Sequence, residues 1–323
     1  MKAIVQDTYG SAEVLRLDDI DVPEPGAGEV LVRVRAAGVD RGVWHLMTGE
    51  PYIARLAIGV RRPRNRVPGM DVAGVVECVG VGESGFAVGE AVFGIGKGTY
   101  AEFAVVPTKK LVLKPEGLPL EQAAAVPISG LTALHAVRDV GKVQPRQSVL
   151  VIGAAGGVGT YAVQIARAFG AAVTGVCSTA KLDLVQSIGA DHVVDYTRDD
   201  IVELGERYDV VIDIAGNRTL RQLRQVLAPK GTLVIVGGEE GGRWLGGIER
   251  NLWASLWSPF IGQRMRAFIS RERREDIGML AEMIAAGTFA PVVERTFPLA
   301  HTADAIRYLE GGHARGKVVV TVS

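Results

Sequence analysis

Val149-Leu150-Val151-Ile152-Gly153-Ala154-Ala155-Gly156-Gly157-Val158-Gly159 decides how the middle of this chain is built. An apolar, largely β-branched run passes straight into small residues, and Gly157–Phe169 then has helical spacing, so a buried strand turns directly into a helix. Position by position the turn reads Ala154-x-Gly156-x-x-Gly159, a dinucleotide fingerprint with its first glycine replaced by alanine. Gly156 would let the backbone approach a pyrophosphate, and Gly159 would let the helix pack closely on the strand. The N–H groups at the helix start, around Gly157 and Val158, would meet the anion. The competing reading is a tight strand–helix turn whose small residues serve packing alone.

Downstream the pattern repeats. Apolar runs at Ala172–Cys177, His192–Val194, Val210–Ile214 and Thr232–Val236 alternate with helical segments carrying Leu182, Val185 and Ile188, then Leu220, Leu223 and Leu227. Parallel strands need crossover connections, so this alternation predicts an α/β fold, a doubly wound parallel sheet of the Rossmann kind, over residues 126–262. The second strand ends Gly175-Val176-Cys177-Ser178-Thr179-Ala180-Lys181, with no acid before Asp183. NAD enzymes place an acid there on the ribose 2′-hydroxyl. A serine and a lysine in that place favour a 2′-phosphate, hence NADPH; the alternative is that Ser178 caps the next helix and Lys181 is simply solvated.

Upstream the texture is different. Val30, Val32 and Val34 fall on one face of a strand and Leu31, Arg33 and Arg35 on the other. Similar runs at Gly74–Val79, Ala91–Phe93 and Phe103–Val106 are punctuated by Gly and Pro, so residues 1–125 read as mostly β. A helical stretch at Arg271–Gly287 and a strand at Lys317–Val322 exceed what a finished doubly wound sheet needs. Residues 263–323 are therefore expected to return to the first domain.

A chain of 323 residues fits two domains, and its 36 Lys+Arg against 36 Asp+Glu give no single-sign field of the kind that binds nucleic acid. Cys78 and Cys177 are too few for a disulfide framework or a four-cysteine zinc site. No signal-like N-terminus and no membrane-length apolar run appear, so a cytoplasmic protein is expected.

With those residues in place, the chain resembles the quinone oxidoreductase branch of the medium-chain dehydrogenase/reductase superfamily nearly end to end. The matching segments are PGAGEVLVRVRAAGV, PGMDVAGVVECVG, AAAVPISGLTALHAV, VLVIGAAGGVGTYAVQIARAFGA, SIGADHVVDY and ARGKVV. The resemblance implies a GroES-like, barrel-like catalytic domain made from both chain ends, a central cofactor domain and an active site in the cleft between them. It implies that Tyr196 joins Ser178 and Lys181 around the 2′-phosphate, and that Phe260 and Ile261 lie near the nicotinamide. Ala215, Val236 and Gly237 complete the expected cofactor-binding set. A homodimer is expected.

Zinc alcohol dehydrogenases of the superfamily hold their metal with a cysteine after the Ala-Ala-Gly-Val stretch and with a Gly-His-Glu segment. Here Asp40 and Gly69-Met70-Asp71 stand in those places, which is not the usual N/S donor set, so no metal is expected. Without a Lewis acid a simple alcohol is hard to activate, and an already electrophilic quinone or enone suits hydride transfer better. Asp40, His45 and Tyr52 are the catalytic candidates, on the segment after the Ala36-Ala37-Gly38 stretch. Asp40 stands where related reductases usually carry asparagine. It either acts on the nicotinamide electrostatically or caps local backbone, and both readings are open.

Two stretches point elsewhere. The aromatic run 251–260 has the spacing of an interfacial helix but is too short to span a bilayer. Arg55, Arg61, Arg62, Arg64 and Arg66 form a basic loop that is either a solvated face or an attractor of acidic ligands. Besides a quinone or enone reductase, two functions stay open: an alcohol dehydrogenase or carbonyl reductase, and a non-catalytic dinucleotide-binding sensor.

Overall fold

The computed structural model describes residues 1–82, 85–237, 242–246 and 262–323. From the N-terminus its strands are β1 (Lys2–Val5), β2 (Arg16–Asp19), β3 (Glu29–Val39), β4 (Asp71–Val79), β5 (Ala91–Ile95), β6 (Phe103–Pro107) and β7 (Leu111–Leu113). There follow β8 (Ser148–Ile152), β9 (Ala172–Cys177), β10 (His192–Asp195), β11 (Tyr208–Asp213), β12 (Leu227–Ile235), β13 (Arg264–Ala267), β14 (Val293–Pro298) and β15 (Lys317–Thr321).

The chain divides into two units, Met1–Leu131 with Arg271–Gly287 and Pro291–Ser323, and Thr132–Ser270 with Thr288–Ala290. In the first, β3 is the organising strand: β4, β6 and β15 all pair with it antiparallel, and β14 runs parallel to β15. Val30, Val32 and Val34 are buried in its core while Arg33 and Arg35 face outward, as the sequence predicts; Leu31, expected on the outward face with the two arginines, is buried as well. Each such valine contributes about 1.5–3 kcal/mol by leaving water. The strand runs further than predicted, through Ala36-Ala37-Gly38 to Val39, and the chain turns only at Asp40. Position 38 has to be glycine there, because a Cβ on it would lie 2.5 Å from Asp71 Oδ2 and 2.6 Å from Ala124 O.

Among the described residues of the second unit, six strands lie in the order β10-β9-β8-β11-β12-β13, every neighbouring pair parallel. This is the doubly wound 3-2-1-4-5-6 arrangement, with its reversal of strand order between β8 and β11. Two details depart from the sequence reading. The sheet extends past residue 262, because β13 pairs with β12; its Arg-Met-Arg-Ala composition buries only Met265 and carries no apolar run to read. Leu227 belongs to β12, since the preceding helix ends at Gln225 and Leu227 pairs with Tyr208. It shares one hydrophobic cluster with Leu220 and Leu223 of that helix.

Among the described residues no helix is long and apolar enough to cross a membrane. The aromatic run 251–260, Phe260 and Ile261 lie outside the described residues.

Candidate functional site

The glycine loop leaves β8 at Ile152 and enters the helix Gly157–Ala168 with Gly156 at its N-cap. The tight turn is made one residue earlier than the fingerprint placed it: Gly153 takes φ +86°, a left-handed conformation that favours glycine, while Ala154 donates its N–H to Val176 O at 3.0 Å. Gly159 lies hard against the strand, since a Cβ there would be 2.0 Å from Gly153 O. Gly156 is the opposite case: the nearest atom to a Cβ on it is Gly153 O at 3.5 Å. Among the described residues, space therefore stands open over the first turn of a twelve-residue helix whose leading N–H groups have no intrahelical acceptor. A dinucleotide pyrophosphate fits that cradle in shape and charge.

The other expected cofactor residues lie at the same C-terminal edge of the sheet. Ile214 and Ala215 donate to Ile152 O at 3.0 and 3.3 Å, and Val236 and Gly237 donate to Asp213 O at 2.9 and 3.1 Å, so the ends of β8, β11 and β12 are tied together. On the other side Asp195 pairs with Cys177 in register and Tyr196 donates its N–H to Cys177 O at 3.1 Å. This brings Tyr196 beside Ser178, with Lys181 one turn on. Ser178 occupies the N-cap of the short turn Thr179–Lys181, but its hydroxyl makes no cap bond. Ligands of open α/β sheets bind at this edge, beside the reversal of strand order.

The structure adds an acid that the linear reading of β9 missed. Asp195, from the end of β10, sits against the end of β9 with its carboxylate on Thr179 and Thr197. The signal was present in the Asp195-Tyr196 pair. Its neighbour across the sheet could not be read from spacing.

In the first unit the catalytic candidates fall on one short segment. Asp40 caps the helix Arg41–Thr48, its Oδ1 accepting the Val43 N–H at 3.2 Å. Its other oxygen, Oδ2, is buried with no hydrogen-bond partner among the described residues, so local capping accounts for only half of the carboxylate. His45 Nδ1 lies 2.7 Å from Glu50 O and donates to it, which leaves Nε2 as the acceptor of the neutral ring. Tyr52 is half-buried, and its ring and that of Tyr9 each lie 4.5 Å from the Arg55 guanidinium carbon. Arg55 also donates to Gly49 O and Thr48 O at the helix C-terminus, so this arginine is structural. Arg66 pairs with Asp7 at 2.7 Å, while Arg61, Arg62 and Arg64 are exposed.

Behind Asp40 stands a buried charged group that sequence reasoning did not single out. Asp71 is 0% exposed, accepts the Ile128 N–H on Oδ1 at 2.8 Å and faces the Lys317 ammonium at 3.5 Å; Lys317, itself 2% exposed, donates to Ser129 Oγ at 3.0 Å. Burial pushes the Asp71 carboxyl up to about 7, against the attraction of Lys317 and with help from the like charge of Asp40. Tyr100 donates to Gly38 O at 3.0 Å, and burial drives its phenol well above the ordinary range, with Asp40 and Asp71 adding to the shift. The donor set does not fit a zinc ion: it has carboxylates but no histidine or thiolate, and its cation is already Lys317. Among the described residues no group of three or more His, Cys, Asp or Glu side chains is placed to hold a metal.

Two family models match the chain: an alcohol dehydrogenase GroES-like domain over residues 26–116 and a zinc-binding dehydrogenase model over residues 188–320. The chain is 35% identical to an NADPH-dependent alkenal/one oxidoreductase of Arabidopsis thaliana, over 99% of its own length and 79% of the relative's. Among solved structures it is similar to the quinone oxidoreductase of Coxiella burnetii, with TM-score 0.86 and 27% identity, covering 100% of this chain and 99% of the other. It is also similar to an NAD-dependent alcohol dehydrogenase, with TM-score 0.85 and 29% identity, covering 100% of both chains.

Proposed function

We propose that this chain, which belongs to the medium-chain dehydrogenase/reductase superfamily in its quinone oxidoreductase-like branch, reduces a quinone or α,β-unsaturated carbonyl with NADPH and without a metal ion. The observation that carries the reading is the open glycine cradle beside Ser178, Lys181 and Tyr196, in a chain 35% identical to an NADPH-dependent alkenal/one oxidoreductase. When bound, the nicotinamide supplies a hydride. The protein's part is to hold, orient and keep dry.

In this reading the Gly157–Gly159 N–H groups take the pyrophosphate, Ser178, Lys181 and Tyr196 take the 2′-phosphate, and Ala215, Val236 and Gly237 shape the floor. Metal independence is supported by the buried Lys317–Asp71 pair and by the absence of N/S ligands around Asp40 and Met70. With no Lewis acid to polarise a carbonyl, the acceptor must bring its own electrophilicity. His45 is a candidate for proton delivery; with Nδ1 engaged by Glu50 O, it passes a proton through Nε2 as the imidazolium. The Tyr52 hydroxyl is the other candidate.

A panel of quinones, enones and saturated ketones, assayed with NADPH and NADH before and after exhaustive chelation, tests this. Quinones or enones should be turned over, NADPH should exceed NADH at least about tenfold in kcat/KM, the difference made by one charge-assisted contact, and chelation should change nothing. Zinc-restored alcohol oxidation with NAD would instead establish the second reading, which the likeness to the NAD-dependent alcohol dehydrogenase favours. Tight binding without turnover of any acceptor would establish the sensor.

Asp40→Asn addresses the half-satisfied carboxylate. Asparagine keeps the cap on Val43, so thermal stability should change little. If Oδ2 acts on the cofactor's charge, the variant should bind oxidised relative to reduced nucleotide less well by on the order of 1 kcal/mol. Titration of both forms against both proteins decides; an unchanged ratio leaves Asp40 as a cap.

A further inference from the structure

Asp195 is a buried carboxylate that cofactor binding, as set out above, does not use. It is the last residue of β10, 6% exposed, and both of its oxygens are occupied. Oδ1 accepts the N–H of Thr197 at 3.0 Å and its hydroxyl at 2.7 Å, while Oδ2 accepts the Thr179 hydroxyl and faces Arg198 Nε at 3.6 Å. These contacts, the Thr179 hydroxyl first, hold its carboxyl below the usual range, so it is ionised at neutral pH.

An acid at the end of the second strand of a doubly wound sheet, here the end of β9 against which Asp195 lies, ordinarily accepts a hydrogen bond from a ribose 2′-hydroxyl and repels a 2′-phosphate. Asp195 is turned away from the first task, because its acceptor sites are filled by threonines. The second effect, repulsion, is countered by Arg198. That side chain is 73% exposed and meets Asp195 through Nε, which leaves the terminal fork of the guanidinium to take an oxyanion bidentately. Both side chains sit where Tyr196 is bonded to the end of β9, beside Ser178.

We infer that Arg198 is a specificity-determining residue for the nucleotide 2′-phosphate and that Asp195 is the positioning residue that seats it at the joined ends of β9 and β10. Asp195 offers Arg198 a fixed anchor, and Arg198 cancels a charge that would otherwise oppose phosphate at an edge already carrying Asp183 and Asp199. The inference rests on the NADPH reading, which it deepens.

The test uses the full chain, with adenosine 2′,5′-bisphosphate and 5′-AMP as probes of the phosphate subsite alone, and NADPH and NADH as whole cofactors, all by calorimetric titration. Arg198→Met should leave the melting temperature unchanged, weaken the bisphosphate and NADPH about tenfold or more, and leave 5′-AMP and NADH within about twofold, as loss of one charge-assisted contact requires. In an Asp195→Asn background the same substitution should cost clearly less, because the arginine is no longer seated; that coupling is a signature that two independent surface roles would not give. If the bisphosphate keeps its full advantage over 5′-AMP in Arg198→Met, the inference is overturned even where NADPH remains preferred. Additive effects of the two substitutions would overturn the positioning role of Asp195. Equal binding of NADPH and NADH by the unmodified chain would count against the cofactor reading, and the bisphosphate comparison would then still decide the role of Arg198.

Discussion

Lys317→Met should destabilise the protein by about 2–3 kcal/mol at pH 8, below the usual cost of removing one partner from a fully buried pair, because the stranded carboxyl can take up a proton. Lys317 and Asp71 are 2% and 0% exposed, so water cannot replace the lost ammonium. Part of the loss, about 1 kcal/mol, is the hydrogen bond to Ser129 Oγ. The larger part is the Asp71 carboxylate, and its cost depends on pH. Its folded value of about 7 already lies above the ordinary aspartate value of 3.8. The folded state therefore holds a proton that the unfolded state gives up first, and this contribution to stability, complete below about pH 4, drains away as pH rises towards 7. Without Lys317 the carboxyl rises further and the decline continues to higher pH, at about 1.4 kcal/mol per unit. Urea melts at pH 5.5 and pH 8 should show a small penalty at the lower value and the full one at the higher. Asp71→Asn combined with Lys317→Met should recover most of the loss at pH 8 by replacing the stranded charge with a neutral amide. A penalty independent of pH, or no recovery in the double variant, would show that Lys317 acts through packing alone.

This pair marks where sequence reading stops. The segments around Asp71 and Lys317 both carry the family resemblance, yet nothing in either predicts that a strand from the C-terminus lays an ammonium beside a carboxylate from β4. That contact is made by sheet order, β15 against β3 against β4, and order is not a local property. What was legible was periodic. The alternation of Val30, Val32 and Val34 placed a half-buried strand correctly, and the strand–glycine–helix passage at Ile152 placed the glycine turn. Where the period is short or the strand polar, as at Arg264–Ala267, the signal vanished, because an edge strand buries little. Asp40 shows a third limit. Its capping bond to Val43 is a local event that turn chemistry anticipates, whereas its unpartnered Oδ2 depends on what the rest of the fold packs over it.

Gly156 and Gly159 of the glycine loop should separate folding from binding in opposite directions. Gly156→Ala should fold: its backbone, φ −81° and ψ 175°, is open to any residue, and the new methyl meets nothing closer than Gly153 O at 3.5 Å. Loss of a good N-cap residue should cost about 1 kcal/mol or less. The same methyl stands in the open space over the helix start, where a pyrophosphate has to approach the N–H groups directly. Losing one or two charge-assisted hydrogen bonds there should weaken NADPH on the order of 100-fold. Gly159→Ala should do the reverse in order of cause. Its methyl would lie 2.0 Å from Gly153 O and 2.8 Å from Ala154 Cα, backbone atoms with no rotamer to yield, so the helix must move off β8. About 3 kcal/mol of stability should go with that shift, and binding should weaken only because the cradle is displaced. Thermal melts and NADPH titrations on both variants check the pattern. If Gly156→Ala bound NADPH as tightly as the unmodified chain, the loop's small residues would serve helix–strand packing alone, and the anion cradle would have to be sought elsewhere along the sheet edge.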